Sequence, residues 1–395
     1  MYRLNLFFLC LLLTTVVKAQ NLQGKIIDEL SHEPIPFVSV GIVGTNMATV
    51  SNENGEFIIK AEKLPVSLRF GHVSYLQLDM LVTTNQQLLQ IQLSPSAIKL
   101  GEVTVIPEQG RKLLGLALKK AQEKEQESYY AKAFYRQLTT NNGKATEIHE
   151  LFYDVDWNVK YIQGWAAKQS RFAEVNDRQK FSLNNQSFLT FALAGYLFPD
   201  KKNTYVSQKY LDLYTIKIDR YIEKADQDIA VITCKLNRPV KNRFYINSTY
   251  YIGTRDHQIY RLENQIFHLA FDFSPGLTLK YPPVVSTIAT FKPVENSIPI
   301  LESMATKMYL NLISSGMEIQ SVISSLLTVF KIDDQLKNQQ FRSLNSNVKD
   351  KTVIESIKYD ASFWKDNPIV KQTALENAFI QMMESKQAFG TMINP

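Results

Sequence analysis

The sequence predicts a mainly β protein, with an amino-terminal β-sandwich followed by a larger antiparallel β-rich domain carrying a few helices. Three observations predict it. From Leu22 to Leu93, short β-type runs alternate with turn chemistry about every ten residues, the rhythm of a sandwich. The pair Asn142-Gly143 separates two longer runs, and this pair supplies the positive φ angles that a two-residue hairpin turn requires. Beyond it lie further runs at Leu211–Ile222, Ile229–Leu236, Arg243–Ile252, Gln258–Leu269 and Val284–Phe291, divided by polar turns.

Composition agrees with a folded chain of two or three domains. Of 395 residues, 45% are hydrophobic and 21% charged, which excludes disordered and collagen-like classes. Lys and Arg number 44 against 38 Asp and Glu, a formal +6 spread along the chain. Nucleic-acid binding needs a clustered basic face, so no nucleic-acid partner is expected.

Residues 1–19 read as a signal peptide, because Arg3 precedes an apolar run from Leu4 to Val17 that ends at small Ala19. Cys10 sits inside that run behind bulky Leu9, the wrong setting for lipidation. The expected address is export, to the periplasm or the outer membrane. No later segment is expected to span a membrane, since the most apolar one, Phe188–Phe198, is stopped by Pro199 and Asp200 and reads as a buried helix. Cleavage leaves Cys234 alone, so an intramolecular disulfide is excluded.

The sandwich is assigned to residues 20–106. Val38, Val40 and Ile42 alternate with Phe37, Ser39 and Gly41, and Leu89, Ile91 and Leu93 alternate with Gln90 and Gln92, so each strand has one buried face. Asn52 to Gly55 form a tight turn, with Gly55 expected to resist substitution most. Gly24-Lys25-Ile26-Ile27-Asp28, Glu33-Pro34-Ile35-Pro36, Gly44-Thr45, Val50 to Phe57, Leu68 to Tyr75, and Leu93-Ser94-Pro95 with Leu100 to Val105 together resemble the carboxypeptidase-regulatory-like domain of exported Bacteroidetes proteins. Ser74 stands where that family usually has Gly. The resemblance implies a seven-stranded transthyretin-like sandwich, an accessory module without catalysis.

Residues 107–128 are assigned to a linker helix, with Pro107 to Gly110 as a breaker and Leu114, Ala117, Leu118 and Ala121 on one stripe. Residues 129–395 are assigned to the β-rich domain. Its last element is a helix announced by Thr373 and Glu376 as a capping box, with Leu375, Phe379 and Met382 along one face. Ala133-Phe134-Tyr135-Arg136, Tyr359-Asp360, Phe363 to Asn367 and Ala388-Phe389-Gly390 resemble segments of exported Bacteroidetes proteins in which the same sandwich precedes a domain of unassigned function.

Catalytic signatures are missing. None of the five histidines has an acidic residue three positions on, the spacing a zinc peptidase uses, and neither a Gly-x-Ser-x-Gly elbow nor a Gly-rich phosphate loop occurs. The expectation is a protein that is not an enzyme and holds no cofactor. Ligand contacts are sought instead on an aromatic face of Tyr245, Tyr250 and Tyr260, and on a basic loop of Arg238, Lys241 and Arg243. Because Tyr250 and Tyr251 are adjacent on a strand, one of them must face inward. Asp154 and Asp156 share a strand face and read as solvated charge. The leading function is a non-catalytic envelope protein with a partner-binding β domain. A glycan or apolar-ligand binder using a concave sheet, and a hydrolase whose residues are too far apart in sequence to see, are the alternatives; a metal site would need His149, His257 and His268 to converge through the fold.

Overall fold

The computed structural model describes residues 20–85, 87–100, 107–176, 181–183, 186–193, 197, 208–271, 273, 276–343 and 350–389. The signal-peptide reading of residues 1–19 lies outside them.

Strands β1 (Gln20–Asp28), β2 (Ser39–Ile42), β3 (Ala48–Val50), β4 (Glu56–Ala61), β5 (Val66–Gly71), β6 (Leu78–Val82) and β7 (Leu89–Leu93) form two sheets, ordered β4-β1-β7 and β3-β2-β5-β6. The alternating residues Val38, Val40 and Ile42 point between the sheets with Phe57, Leu68, Phe70 and Ile91. Phe57 and Phe70 meet edge to face at 5.6 Å. The Asn52–Gly55 turn forms as its residues require. Asn52 Oδ1 accepts from the backbone N–H of Asn54 at 2.9 Å and of Glu56 at 3.0 Å, and Gly55 has φ +72°. A Cβ on Gly55 would stand 2.3 Å from the Ile26 carbonyl oxygen, so the position excludes any side chain.

Beyond β7 the chain leaves the sandwich, and residues 101–105 of the segment resembling the family's close lie outside the described residues. Strand β8 (Ile98–Leu100) pairs antiparallel with Ile222 to Arg220 of the second region. There, β9 (Tyr129–Asn141), β10 (Lys144–Trp157), β11 (Ile162–Glu174), β12 (Tyr214–Ile222), β13 (Ile229–Leu236), β14 (Tyr245–Gly253), β15 (Ile259–Phe267), β16 (Leu277–Leu279), β17 (Val284–Lys292), β18 (Ile300–Ser314), β19 (Met317–Ile332) and β20 (Arg342–Ser343) build one 13-stranded sheet with β8. Its order is β20-β11-β10-β9-β19-β18-β17-β15-β14-β13-β12-β8, with β16 beside β18. The Asn142-Gly143 turn closes β9 onto β10 with φ of 50° and 77°. The longest strands, β18 and β19, turn at Ser315-Gly316 and carry the late part of the chain back to β9.

Helix α1 (Pro107–Glu123) starts at the proline, which corrects its reading as a breaker. Proline lacks only an N–H that the first helical position leaves unused. Leu114, Ala117, Leu118 and Ala121 bury their stripe on one face of the sheet, and α2 (Gln186–Leu193) covers the same face. A transverse row of polar side chains crosses this α1 face: Ser248, Asn264, Thr287, Thr306, Ser325, Gln137 and His149, each register-paired with the next on the adjoining strand. All are buried. The row divides the apolar lining, with Tyr250, Leu262, Ala289, Met304, Leu327 and Tyr135 on one side, and Ile246, Ile266, Val285, Met308 and Ile323 on the other. Ser248 donates to Asn264 at 2.7 Å, and Thr190 of α2 lies 2.8 Å from Ser325.

Candidate functional site

The sandwich and a carboxy-terminal arm sit together on the opposite face of the sheet. Helix α3 (Asp350–Glu355) still packs Val353 and Ile354 into the α1-face cluster, and the arm that follows it consists of α4 (Ala361–Asp366), a stretch at 367–373 without helix or strand, and α5 (Ala374–Ser385). Asp360 caps α4 by accepting from the N–H groups of Ser362 and Phe363. Thr373 and Glu376 form the expected capping box of α5. The buried face of α5 is Phe379, Ile380 and Met383, while Leu375 and Met382 are exposed. The stripe is therefore rotated from the expected Leu375-Phe379-Met382 line, because Leu138, Ile148 and Ala173 of the sheet receive Ile380 and Met383.

At the centre of this junction, three charged side chains from adjacent strands lie out of water. Glu150 of β10 stands opposite Arg136 of β9 and Arg171 of β11. Arg136 Nε donates to Glu150 Oε1 at 2.7 Å, and Arg171 Nε donates to Glu150 Oε2. Burial alone would raise the Glu150 carboxyl, but the Arg171 and Arg136 guanidinium groups together hold it below its ordinary value. Arg136 reaches Glu376 at 3.4 Å, and Arg171 reaches Glu384 at 3.3 Å. The Arg171 guanidinium also lies over the rings of Trp364 at 4.5 Å and Phe389 at 5.0 Å. Val50 of the sandwich packs in one aromatic cluster with Phe134, Phe152, Trp364 and Val370.

Two cavities flank residues 367–373. One of about 420 Å³ is lined by Glu56 and Ile58 of the sandwich, Arg136, Glu150 and Arg171 of the sheet, and Trp364 to Asn377 in part. The other, about 660 Å³ and mostly apolar in its lining, runs between the Asn52–Asn54 turn, Tyr309 and Val322 of the sheet, and Leu375 of α5. Both touch Phe134, Arg136, Val370 and Thr373. Lys307 reaches across to Glu53 at 3.3 Å. The sandwich is held here by further bonds, from Ser39 to Glu302 at 2.8 Å and from Lys60 Nζ to the Asp366 carbonyl at 3.0 Å. On another side, Lys224 inserts its ammonium among Ser96 Oγ and the carbonyls of His72 and Tyr75, and burial pushes that amine down to about 8.

The side chains singled out from sequence as ligand contacts do not converge. Tyr250 is buried on the α1 face, its hydroxyl 3.5 Å from the Leu197 carbonyl. Tyr251, its strand neighbour, is also buried, on the other face. Tyr245 stacks on Phe267 at 4.6 Å at one end of the β14–β15 ladder. Tyr260 lies at the other end, donating to Asp256 and accepting from Gln227, each at 3.0 Å. Arg238, Lys241 and Arg243 are exposed in the loop between β13 and β14. Asp154 is buried, where a solvated charge is expected; it pairs with Lys168 at 2.9 Å. His149 is buried against Glu147 at 2.7 Å, and among the described residues no group of three or more His, Cys, Asp or Glu could hold a metal ion.

Phe134 and Arg136, Trp364, and Phe389 lie in three of the segments that resemble parts of exported Bacteroidetes proteins, and the fold brings those segments together. That shared resemblance is the signal for the site. Glu150 and Arg171 carry no such signal, since only the strand register places them here.

Several solved structures share a likeness with the chain. A DUF1329 family protein from Desulfovibrio piger has 9% identity and a TM-score of 0.21, covering 59% of this chain and 97% of its own. A putative outer membrane lipoprotein-sorting protein domain from Vibrio parahaemolyticus has 9% identity and a TM-score of 0.23, covering 63% and 99%. A LolA superfamily protein from Nitrosomonas europaea has 10% identity and a TM-score of 0.19, covering 56% and 94%. At such scores the likeness transfers neither a ligand nor an activity. No curated protein matches the chain. The sandwich is different, because its seven strands and its turn residues meet an independent match: residues 22–105 fit the family model of the CarboxypepD_reg-like domain.

Proposed function

We propose that the protein is an exported, non-catalytic envelope component that binds a partner in the cleft between its sandwich and the outer face of its large sheet. The observation that carries this reading is the cleft itself: two cavities side by side, walled by both domains and the arm, the smaller floored by the buried Arg136–Glu150–Arg171 group and the larger reaching Arg136. The ionic floor is closed on itself, with each guanidinium already committed to carboxylates, so it fixes the shape of the cleft rather than supplying a proton acceptor or a nucleophile. The α1 face supports the glycan or apolar-ligand reading less, because its aromatic and aliphatic side chains are buried in two clusters. Among the described residues no helix is long and apolar enough to cross a membrane.

The test compares the full exported chain with Tyr309→Ala and Leu375→Asp, two exposed side chains lining the larger cavity. Cross-linking in the cell followed by mass spectrometry is expected to yield one dominant envelope protein with the unaltered chain and at least about a tenfold loss with either variant. Equal recovery from all three removes the cleft as the binding surface.

A further inference from the structure

Residues 367–373 lie in the cleft without helix or strand, bending at Val370. Three successive carbonyls of this stretch are taken by side chains from outside the arm. Thr49 Oγ1 donates to the Ile369 carbonyl at 2.6 Å, the Arg136 guanidinium donates twice to that of Val370 at 3.3 Å, and Asn52 Nδ2 donates to that of Lys371 at 3.1 Å. Two of these donors belong to the sandwich and one to the sheet. Bonds to carbonyls are indifferent to sequence, so selectivity falls to the side chains between them. Val370 enters a hole, 4% exposed among Val50, Phe134, Phe152 and Trp364, with Ile369 packed half-buried against the same cluster. Lys371 lies along the sandwich, its Nζ 2.7 Å from Gln23 Oε1. Main-chain bonds for affinity with a side-chain hole for specificity is the division used where folded domains hold extended peptides.

The groove is also wider than its occupant, since both cavities border Val370 and Thr373. From these observations, and resting on the partner-binding reading above, we infer that the groove is a recognition site for a short segment of a partner protein that bends, as the resident stretch does, at a β-branched residue in the Val370 position, and that residues 367–373 occupy it in the free chain. A tethered segment competes at an effective concentration of about millimolar, so an untethered peptide of equal intrinsic affinity is masked until the stretch is displaced.

The experiment uses the full mature chain and a fluorescein-labelled synthetic peptide with the sequence of residues 366–373, followed by anisotropy. Val370→Gly and, as a second route, Ile369→Gly loosen the resident stretch; circular dichroism and thermal unfolding establish that each variant is folded. At least one glycine variant is expected to bind the peptide about tenfold or more tightly than the unaltered chain does. Thr49→Val added to that variant, or Asp in place of Val in the peptide, is expected to weaken binding at least tenfold. Absence of saturable binding to both folded glycine variants, or equal binding of the Asp-containing peptide, overturns the inference. Arm exchange between two copies, seen as a dimer by light scattering, overturns it in favour of a second copy of this chain as the occupant. If peptide binding fails while Tyr309→Ala still abolishes capture of the envelope protein, the peptide inference falls and the partner-binding reading stands.

Discussion

Replacing Glu150 by Gln is expected to destabilise the protein by about 3–5 kcal/mol, the loss found when one member of a buried ion pair is removed. The carboxylate is fully buried and divides its two oxygens between Arg136 and Arg171. With charge centres about 4 Å apart and an effective dielectric of about 20, each attraction is about 4 kcal/mol, or about 8 kcal/mol gross. Repulsion between the two guanidinium groups and the cost of burying the carboxylate offset about half of that. Glutamine keeps the shape and one acceptor but leaves two cations facing each other in the core. Urea unfolding followed by tryptophan fluorescence measures the loss, and Trp364, 4.5 Å from the Arg171 guanidinium, serves as a local reporter. The pH dependence follows from the lowered Glu150 pKa. Its contribution is fully present above the unfolded value of 4.5 and disappears as pH falls through the lower folded value, so the gap between unaltered chain and variant narrows in acid. A loss below about 1 kcal/mol at neutral pH, or a gap that does not shrink in acid, refutes the reasoning.

Three other outcomes follow from the same geometry. Gly55→Ala is expected to cost at least about 2–3 kcal/mol, because the residue combines positive φ with a 2.3 Å approach of the new Cβ to the Ile26 carbonyl; thermal unfolding measures it. Glu302→Gln is expected to match the unaltered chain near pH 4 and to exceed it at pH 8 in chemical denaturation. Burial raises that carboxyl despite its bond from Ser39 and the charge of Lys292, so the folded state holds the proton longer than the unfolded state and stability falls as pH rises. Cys234 is fully buried, which pushes its thiol upward, and thiol reagents are expected to label it only in denaturant.

Strands bounded by strong turn chemistry are legible in the sequence. Asn142-Gly143 sets its hairpin and Asn52 to Gly55 the turn between the two sandwich sheets by residue type alone, and the limits of β13 emerge as Ile229–Leu236 from its apolar run between polar turns. Strands β18 and β19 are harder to read, although they are the longest. Glu302, Lys307 and Asn311 interrupt the first and a run of serines the second, and methionine, alanine and lysine carry little strand propensity. Their structure is imposed by pairing with β17 and β9, which no local window contains. The same holds at the cleft. Alternation places Arg136 and Glu150 each on one face of a strand, but the register that sets them opposite each other, and brings Arg171 to the third position, is a property of three strands together.

The buried polar row on the α1 face has a consequence for how such long strands find their alignment. A slip of one residue between antiparallel strands turns every side chain to the wrong face and is forbidden by burial alone. A slip of two residues preserves inside and outside, and simple alternation offers no defence against it. In this sheet it would set Asn264 against Val285 or Ala289 instead of Thr287, and Thr306 against Ile323 or Leu327 instead of Ser325, stranding amides and hydroxyls in hydrocarbon. The row thus acts as a notch across seven strands, satisfied in one register and penalised in those two residues away.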